Sequence, residues 1–452
     1  MIHNNTAEWR KCKMNQQNDR EKFSGKIGFI LACVGSAVGM GNIWLFPYRV
    51  GQYGGAAFLI PYLIFVVLIG IAGVAGEMAF GRAMESGPIG AFEKATRTRN
   101  SGIGKYIGMI PTIGSLALAI GYSVVVGWII RYLAGSVTGS ALHSESAEYF
   151  GEICGDFSSI PWHMIGLAIV FIMMILGITN GIEKVNKVLM PLFFLLFVIL
   201  AFRVAMLDGV KEGYAYLLKP DFDKLFQVRT WVYALGQAFF SLSLAGSGTL
   251  VYGSYLKKDE DVLACAKNVA LYDTIAAVLA AFVIIPSVFA FGLDPSAGPA
   301  LMFITMPKVF QQMPLGNVFM IVFFIAVLFA AVTSLINLFE SPVEAIQNRF
   351  KISRAAAVFP VAVISVVVGI LIENGDMVSN WMDVVSIYII PLGALLAAIM
   401  FFWVCPGNFA KEQVQSGHKK TIGNWYVPLT KYVFVGLTVL VYVLGIFYGG
   451  IG

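Results

Sequence analysis

Asn42, Ser241 and Asp273 each lie inside a separate apolar run of this chain. An amide, a hydroxyl and a carboxylate brought together from three helices would offer oxygen to a hard cation, the ligand type such ions prefer. Asp273 constrains the chemistry most. A carboxylate buried in hydrocarbon without a partner protonates or is not tolerated, and no Lys or Arg lies within the cores of the neighbouring runs. It asks for a cation or a proton. Ala330, Thr333 and Ser334 recur at i, i+3 and i+4, which sets two hydroxyls on one helix face; alone, such hydroxyls more often bond back to their own helix. Glu77 and Glu340 are read as hydrogen-bonding to unwound backbone. Tyr122 lies between Gly121 and Gly127, so its hydroxyl has room to face a cavity, although aromatic residues in membrane helices mostly pack or anchor.

The elements that must hold these groups follow from composition. With 58% hydrophobic and 13% charged residues and a mean hydropathy of +0.78, the chain has more apolar surface than a soluble protein of 452 residues needs. It reads as a polytopic membrane protein of the plasma membrane. Eleven apolar runs fall at about 27–50, 56–80, 106–137, 162–179, 188–206, 231–256, 262–292, 315–346, 355–372, 384–405 and 426–449. Lys and Arg gather in the N-terminal tail and in alternate loops, while the 139–161 loop is acidic, so the N-terminus is expected on the cytoplasmic side. The expected layout is a cytoplasmic tail over 1–25, spans one to five over 26–206, an extracellular loop over 207–230, spans six to ten over 231–406, a cytoplasmic loop over 407–425, and a last span over 426–452.

Several classes are disfavoured. No apolar h-region precedes the first run, so no cleavable signal peptide is expected. The net charge of +5 is spread among loops rather than gathered on one face, which argues against nucleic acid. Five cysteines and four histidines are scattered and isolated, so neither a metal cluster nor a disulfide framework is read from them. No nucleophile–base set or phosphate loop appears, which disfavours an enzyme and any organic cofactor. No obligate protein partner is evident beyond the lipid bilayer.

Two runs are interrupted. Gly35-Ser-Ala-Val-Gly-Met-Gly-Asn-Ile-Trp-Leu-Phe-Pro47 carries Gly39, Gly41 and Pro47 at mid-membrane depth, and Ser241–Thr249 is rich in glycine and serine. For the first stretch two readings stay open. Either backbone groups freed by a helix break face a ligand, or small residues allow close helix packing. Two interrupted segments at matching places in two five-span halves point to an inverted-repeat transporter. Gly181 and Pro191 in the fifth run read as a helix end and a kink, or as a segment able to unwind, the residues alone favouring the first. The 293–314 loop, with four prolines around an apolar centre, reads as a short helix pair dipping toward the protein.

Gly35 to Tyr48, together with Gly54-Gly-Ala-Ala-Phe-Leu-Ile-Pro-Tyr62 and Gly236-Gln-Ala-Phe-Phe-Ser-Leu-Ser-Leu244, resembles the neurotransmitter:sodium symporter family, most of all its bacterial eleven-span amino-acid transporters. The likeness runs from about Arg20 to Tyr448. It implies an all-α, leucine-transporter-type fold with a 5+5 inverted repeat, interrupted spans one and six, and an added eleventh span. It implies two sodium ions, one held by Ala37, Asn42, Ser241 and Asp273, the other by Gly35, Val38, Ala330, Thr333 and Ser334. An amino acid would lie at Met40 and Gly41, with Tyr122 on its carboxylate and Phe240 as a lid. Leu118, Ser243, Leu244, Gly246 and Leu338 would line the side-chain pocket, with Ala37, Ser241 and Ser334 at its ion-facing edge. Arg20, Leu45, Asp383 and Tyr255 fall at gate positions, and Gly181 with Pro191 at the segment linked to inward release.

Departures from the family pattern shape the rest. Leu45 stands where an outer-gate arginine is usual, leaving Asp383 without that partner, and Phe23 and Asn348 replace an inner-gate tryptophan and aspartate. Asp273 replaces an amide; Tyr62, Gln237 and Ser241 of the family's chloride cage are present, but Ala277 supplies neither the serine of chloride-dependent members nor the glutamate of independent ones. The expectation is sodium-coupled uptake of an amino acid, bulky and hydrophobic or aromatic because Gly246 leaves the pocket roomy, without a chloride requirement. The alternative is a membrane sensor that binds the same ligand and moves nothing.

Overall fold

The computed structural model describes residues 21–296 and 301–451. Eight of the described helices are long and apolar enough to cross a bilayer: Ala56–Met84, Gly104–Thr138, Ile178–Ala205, Val262–Ala290, Gly316–Phe350, Arg354–Leu371, Gly375–Val404 and Tyr426–Tyr448. The pair Lys26–Ala37 and Gly41–Gln52, bent by 52°, makes a ninth. The two remaining apolar runs hold Ile160–Ile175 and the pair Val228–Ser241 and Gly248–Ser254. In chain order these are spans one to eleven below. Among the described residues there is no strand.

Spans five and ten begin nearer the N-terminus than hydropathy indicates, at Ile178 and Gly375 rather than near 188 and 384. Their first turns carry Thr179, Asn180 and Glu183, and Asp376, Asn380 and Asp383, so helix is present where apolarity is not. The 293–314 segment also departs from expectation. Its described part forms one short helix over 301–312, not a pair. That helix does dip inward: Phe303 is fully buried, and its carbonyl accepts from the Tyr132 hydroxyl at 2.6 Å. The 207–230 stretch is not plain loop, since it holds the helices Val210–Leu218 and Phe222–Leu225.

Both halves of the broken sixth span pack against the second span. Val228–Ser241 lies along its first half and Gly248–Ser254 along its last turns, while spans three and eight pack along one another. The break in span six is therefore held between two fixed ends. Ser243 and Gly246 take positive φ, at 53° and 66°, and a β-carbon at Gly246 would overlap the Gly393 carbonyl of span ten. Glycine is required there by the turn and the close approach. This corrects the reading that Gly246 widens the substrate pocket: the space beside it is filled by span ten.

Candidate functional site

The two helix breaks leave backbone groups that cannot stay unpaired in hydrocarbon. At the first, Val38 is extended (φ −72°, ψ 104°). The Gly39 N–H donates to Asn42 Oδ1 at 3.1 Å, and the Met40 N–H donates to the Tyr122 hydroxyl at 2.9 Å. The Ser36 carbonyl accepts from Ser243 Oγ at 3.0 Å and from Ser334 Oγ at 3.3 Å. At the second break the Gly246 N–H donates to Glu77 Oε1 at 2.8 Å. Glu77 thus bonds to unwound backbone.

Asn42, Ser241 and Asp273 meet. Asn42 Nδ2 donates to Asp273 Oδ1 at 2.7 Å, and Ser241 Oγ donates to Asp273 Oδ2 at 2.7 Å. Asn42 and Asp273 are fully buried and Ser241 almost so. Tyr62 OH lies 3.2 Å from Ser241 Oγ, and Gln237 Nε2 donates to the Gly41 carbonyl at 3.2 Å. Among the described residues no cationic side chain pairs with Asp273. A buried carboxylate bonded only to an amide and a hydroxyl still calls for a proton or a cation.

A second group forms where spans one, five and eight converge. Gly35 lies against the Thr333 side chain and against Asn186 of span five, and a β-carbon at Gly35 would overlap Asn186 Oδ1. Thr333 Oγ1 bonds back to the carbonyls of Phe329 (3.0 Å) and Ala330 (3.1 Å), as its spacing suggests. A β-carbon at Gly39 would come within 2.8 Å of Ser334 Oγ and 3.1 Å of the Tyr122 hydroxyl, so these three residues face one small region. The Phe240 ring lies against Gly41. Leu118 and Leu338 share a separate apolar cluster with Ala245, Val385 and Ile390, and Leu244 packs on Gly73.

At the proposed gates the picture is mixed. Arg20 lies outside the described residues. Leu45 is half-buried, and Asp383 is exposed with no ion pair to any described residue. Arg49, one turn beyond Leu45, stacks its guanidinium on the Tyr233 ring at 4.4 Å. Near the N-terminal end of span one, Phe23 is buried edge-on against Tyr252 and Tyr255. The N-terminal segment is fastened to the start of span five: Glu21 accepts from the Ile178 N–H at 2.7 Å, and Ser24 bonds to Glu183 through both its N–H and its hydroxyl. Span five is helical from Ile178 onward, with Gly181 buried against the Met173 carbonyl and Pro191 exposed.

Three features were missed. Glu340 does not serve unwound backbone; Arg354 of span nine donates to both its oxygens, at 3.0 and 2.6 Å, and Tyr255 OH donates to Oε1 at 2.7 Å. Two histidines are isolated only in sequence. His163 is fully buried between Glu373 (2.9 Å) and Ser123 (2.8 Å), and His418 meets Asp261 at 2.9 Å. Asn186 is fully buried. It lies two residues before the apolar run that begins near 188, so hydropathy left it outside the span and gave no signal.

Comparison with known proteins agrees with this architecture. The family model of the sodium:neurotransmitter symporter family matches residues 20–159 and 152–450. The chain is 37% identical over 323 residues to the uncharacterized sodium-dependent transporter YhdH of Bacillus subtilis, covering 71% of each chain. It is 29% identical to an uncharacterized sodium-dependent transporter of Haemophilus influenzae, over 95% of this chain and 98% of that one. The crystal structure of MhsT in complex with L-phenylalanine superposes with a TM-score of 0.84 at 33% identity, covering 94% of this chain and 99% of that chain. Such relatives are transporters rather than enzymes, and their shared fold is the leucine-transporter type with broken spans one and six. The chain belongs to the sodium:neurotransmitter symporter family, as a multi-pass, sodium-dependent transporter.

Proposed function

We propose that this transporter imports an amino acid, bulky and hydrophobic or aromatic, together with sodium by alternating access, with its N-terminus cytoplasmic and without need of chloride. The observation that carries the reading is the Asn42–Ser241–Asp273 cluster beside two broken helices. Asp273 supplies the negative charge that a buried cation requires. Of the groups that could cradle an anion, Gln237 gives its Nε2 to the Gly41 carbonyl and Ser241 its hydroxyl to Asp273, and the fully buried Ala277 offers no donor.

The proposed assignments follow. The first sodium takes oxygen from Ala37, Ser241 and Asp273, and from Asn42 once its amide turns its oxygen from the Gly39 N–H toward them; the second takes it from Gly35, Val38, Ala330, Thr333 and Ser334. The substrate carboxylate lies at Met40 and Gly41, reached by Tyr122, with the Phe240 ring closing over it. Preference for an aromatic side chain is supported by the phenylalanine bound to MhsT, not by Gly246. Sodium and substrate bind together and bias which side is open, so the sodium gradient drives uptake.

The test is uptake of labelled phenylalanine into proteoliposomes under an inward sodium gradient, with chloride replaced by gluconate. Concentrative uptake that needs sodium and ignores chloride is expected. A chloride requirement would overturn the charge argument, and saturable binding without flux would assign a sensor.

A further inference from the structure

The amide of Asn186 has a donor that is used and an acceptor that is not. Its Nδ2 donates to the Ile182 carbonyl one turn back in span five, at 2.8 Å. That bond fixes the orientation of the amide, since a flipped side chain would set two oxygens against each other. Oδ1 then points away from its own helix. It lies where a Gly35 β-carbon would stand, next to Thr333 Cβ, and it has no hydrogen-bond partner among the described residues. Asn186 is wholly inaccessible. It packs on Gly35, whose weak Cα–H donors do not replace a real partner. A buried amide oxygen without a partner is costly and calls for an explanation, an ion being one.

Resting on the second sodium site proposed above, we propose that Asn186 is a further oxygen ligand of that ion, contributed by span five. The consequence is mechanical. Asn186 is five residues beyond Gly181, and its Nδ2 holds the carbonyl of Ile182, inside the wide turn Ile178–Glu183 that opens the span. The same turn is fastened to the N-terminal segment through Glu21 and Ser24. An ion that engages Oδ1 immobilises the amide and with it the first turn of span five. Loss of the ion frees the turn. Ion occupancy and the order of this segment are thus one equilibrium, as linkage requires.

The experiment is a titration of the purified full-length protein with radioactive sodium, for the wild type, Asn186→Leu and Asn186→Asp, each checked for an intact melting transition. Leucine keeps the volume and removes the oxygen, so half-saturation should rise by about tenfold, the scale on which lost support weakens metal sites. Aspartate keeps an oxygen and adds charge, so half-saturation should fall. A packing role alone would move both variants the same way. Sodium should also slow amide exchange over residues 178–186 in the wild type and not in Asn186→Leu. Half-saturation within twofold of wild type for Asn186→Leu, or shifts of equal sign in the two variants, overturns the assignment while the symporter reading stands. Absence of sodium binding by the wild type removes both. If Asn186→Leu does not fold, the sign of the Asn186→Asp shift decides.

Discussion

Replacing Asp273 by asparagine keeps the shape of the first cation cluster and removes its charge. The side chain still reaches Asn42 and Ser241, which now lie 2.7 Å from its two oxygens. Two unit charges about 4 Å apart interact by roughly 4 kcal/mol at an effective dielectric of about 20. The amide dipole left behind recovers part of this, so a net loss of about 2 kcal/mol is a reasonable scale. That equals a roughly 30-fold rise in half-saturating sodium, at about 1.4 kcal/mol per factor of ten. The assay is phenylalanine uptake into proteoliposomes against sodium concentration, in gluconate. Ala277 lies one turn further on the same helix face, so Ala277→Glu in the Asp273→Asn background should draw the sodium dependence part of the way back. A shift smaller than about threefold for Asp273→Asn would refute the assignment of the balancing charge to this carboxylate.

Tyr122→Phe removes the oxygen that accepts from the Met40 N–H, leaving a buried donor unpaired at a cost of about 1–3 kcal/mol; the melting temperature should fall measurably, and half-saturating phenylalanine in the uptake assay should rise about tenfold because the hydroxyl proposed to reach the substrate carboxylate is gone. Glu340→Gln strands the Arg354 guanidinium in a buried site, and removing one partner of such a pair costs about 3–5 kcal/mol. The double variant Glu340→Gln/Arg354→Met should melt closer to wild type than either single variant, and additive losses would show that the pair is not coupled. Asp261 caps span seven: burial alone would raise its carboxyl, yet the Ala264 N–H and the His418 ring hold it below its ordinary value. Its stabilisation is then complete above the ordinary carboxylate range and fades as pH falls through the folded value. Asp261→Asn should therefore flatten the acid limb of melting temperature against pH.

Much of this was legible in the chain because membrane constraints act locally. Every backbone group in hydrocarbon must be satisfied, so spans appear as apolar runs and a break appears as glycine, serine and asparagine where leucine would be expected. The interruptions at 35–47 and 241–249 were readable for that reason. Where hydropathy misjudged an end, as in spans five and ten, polar first turns lay outside the apolar core yet remained helical. Gly246 was misread because sequence displays a missing side chain but not what fills its place, here the Gly393 carbonyl.

The sequence by itself determined the class of protein, the number of apolar runs, the places of the two interruptions and the polar residues too costly to be idle. Tertiary structure decided their partners. Glu340 and Arg354 are 14 residues apart in sequence, His163 and Glu373 are 210 apart, and Asn42 and Asp273 are 231 apart. No periodicity links such positions. Their pairing follows from how spans cross and from which face each turns inward, quantities set by packing over the whole bundle. The same holds for Asn186: hydropathy left it outside the span, and only the convergence of spans one, five and eight shows that its oxygen is left for something else.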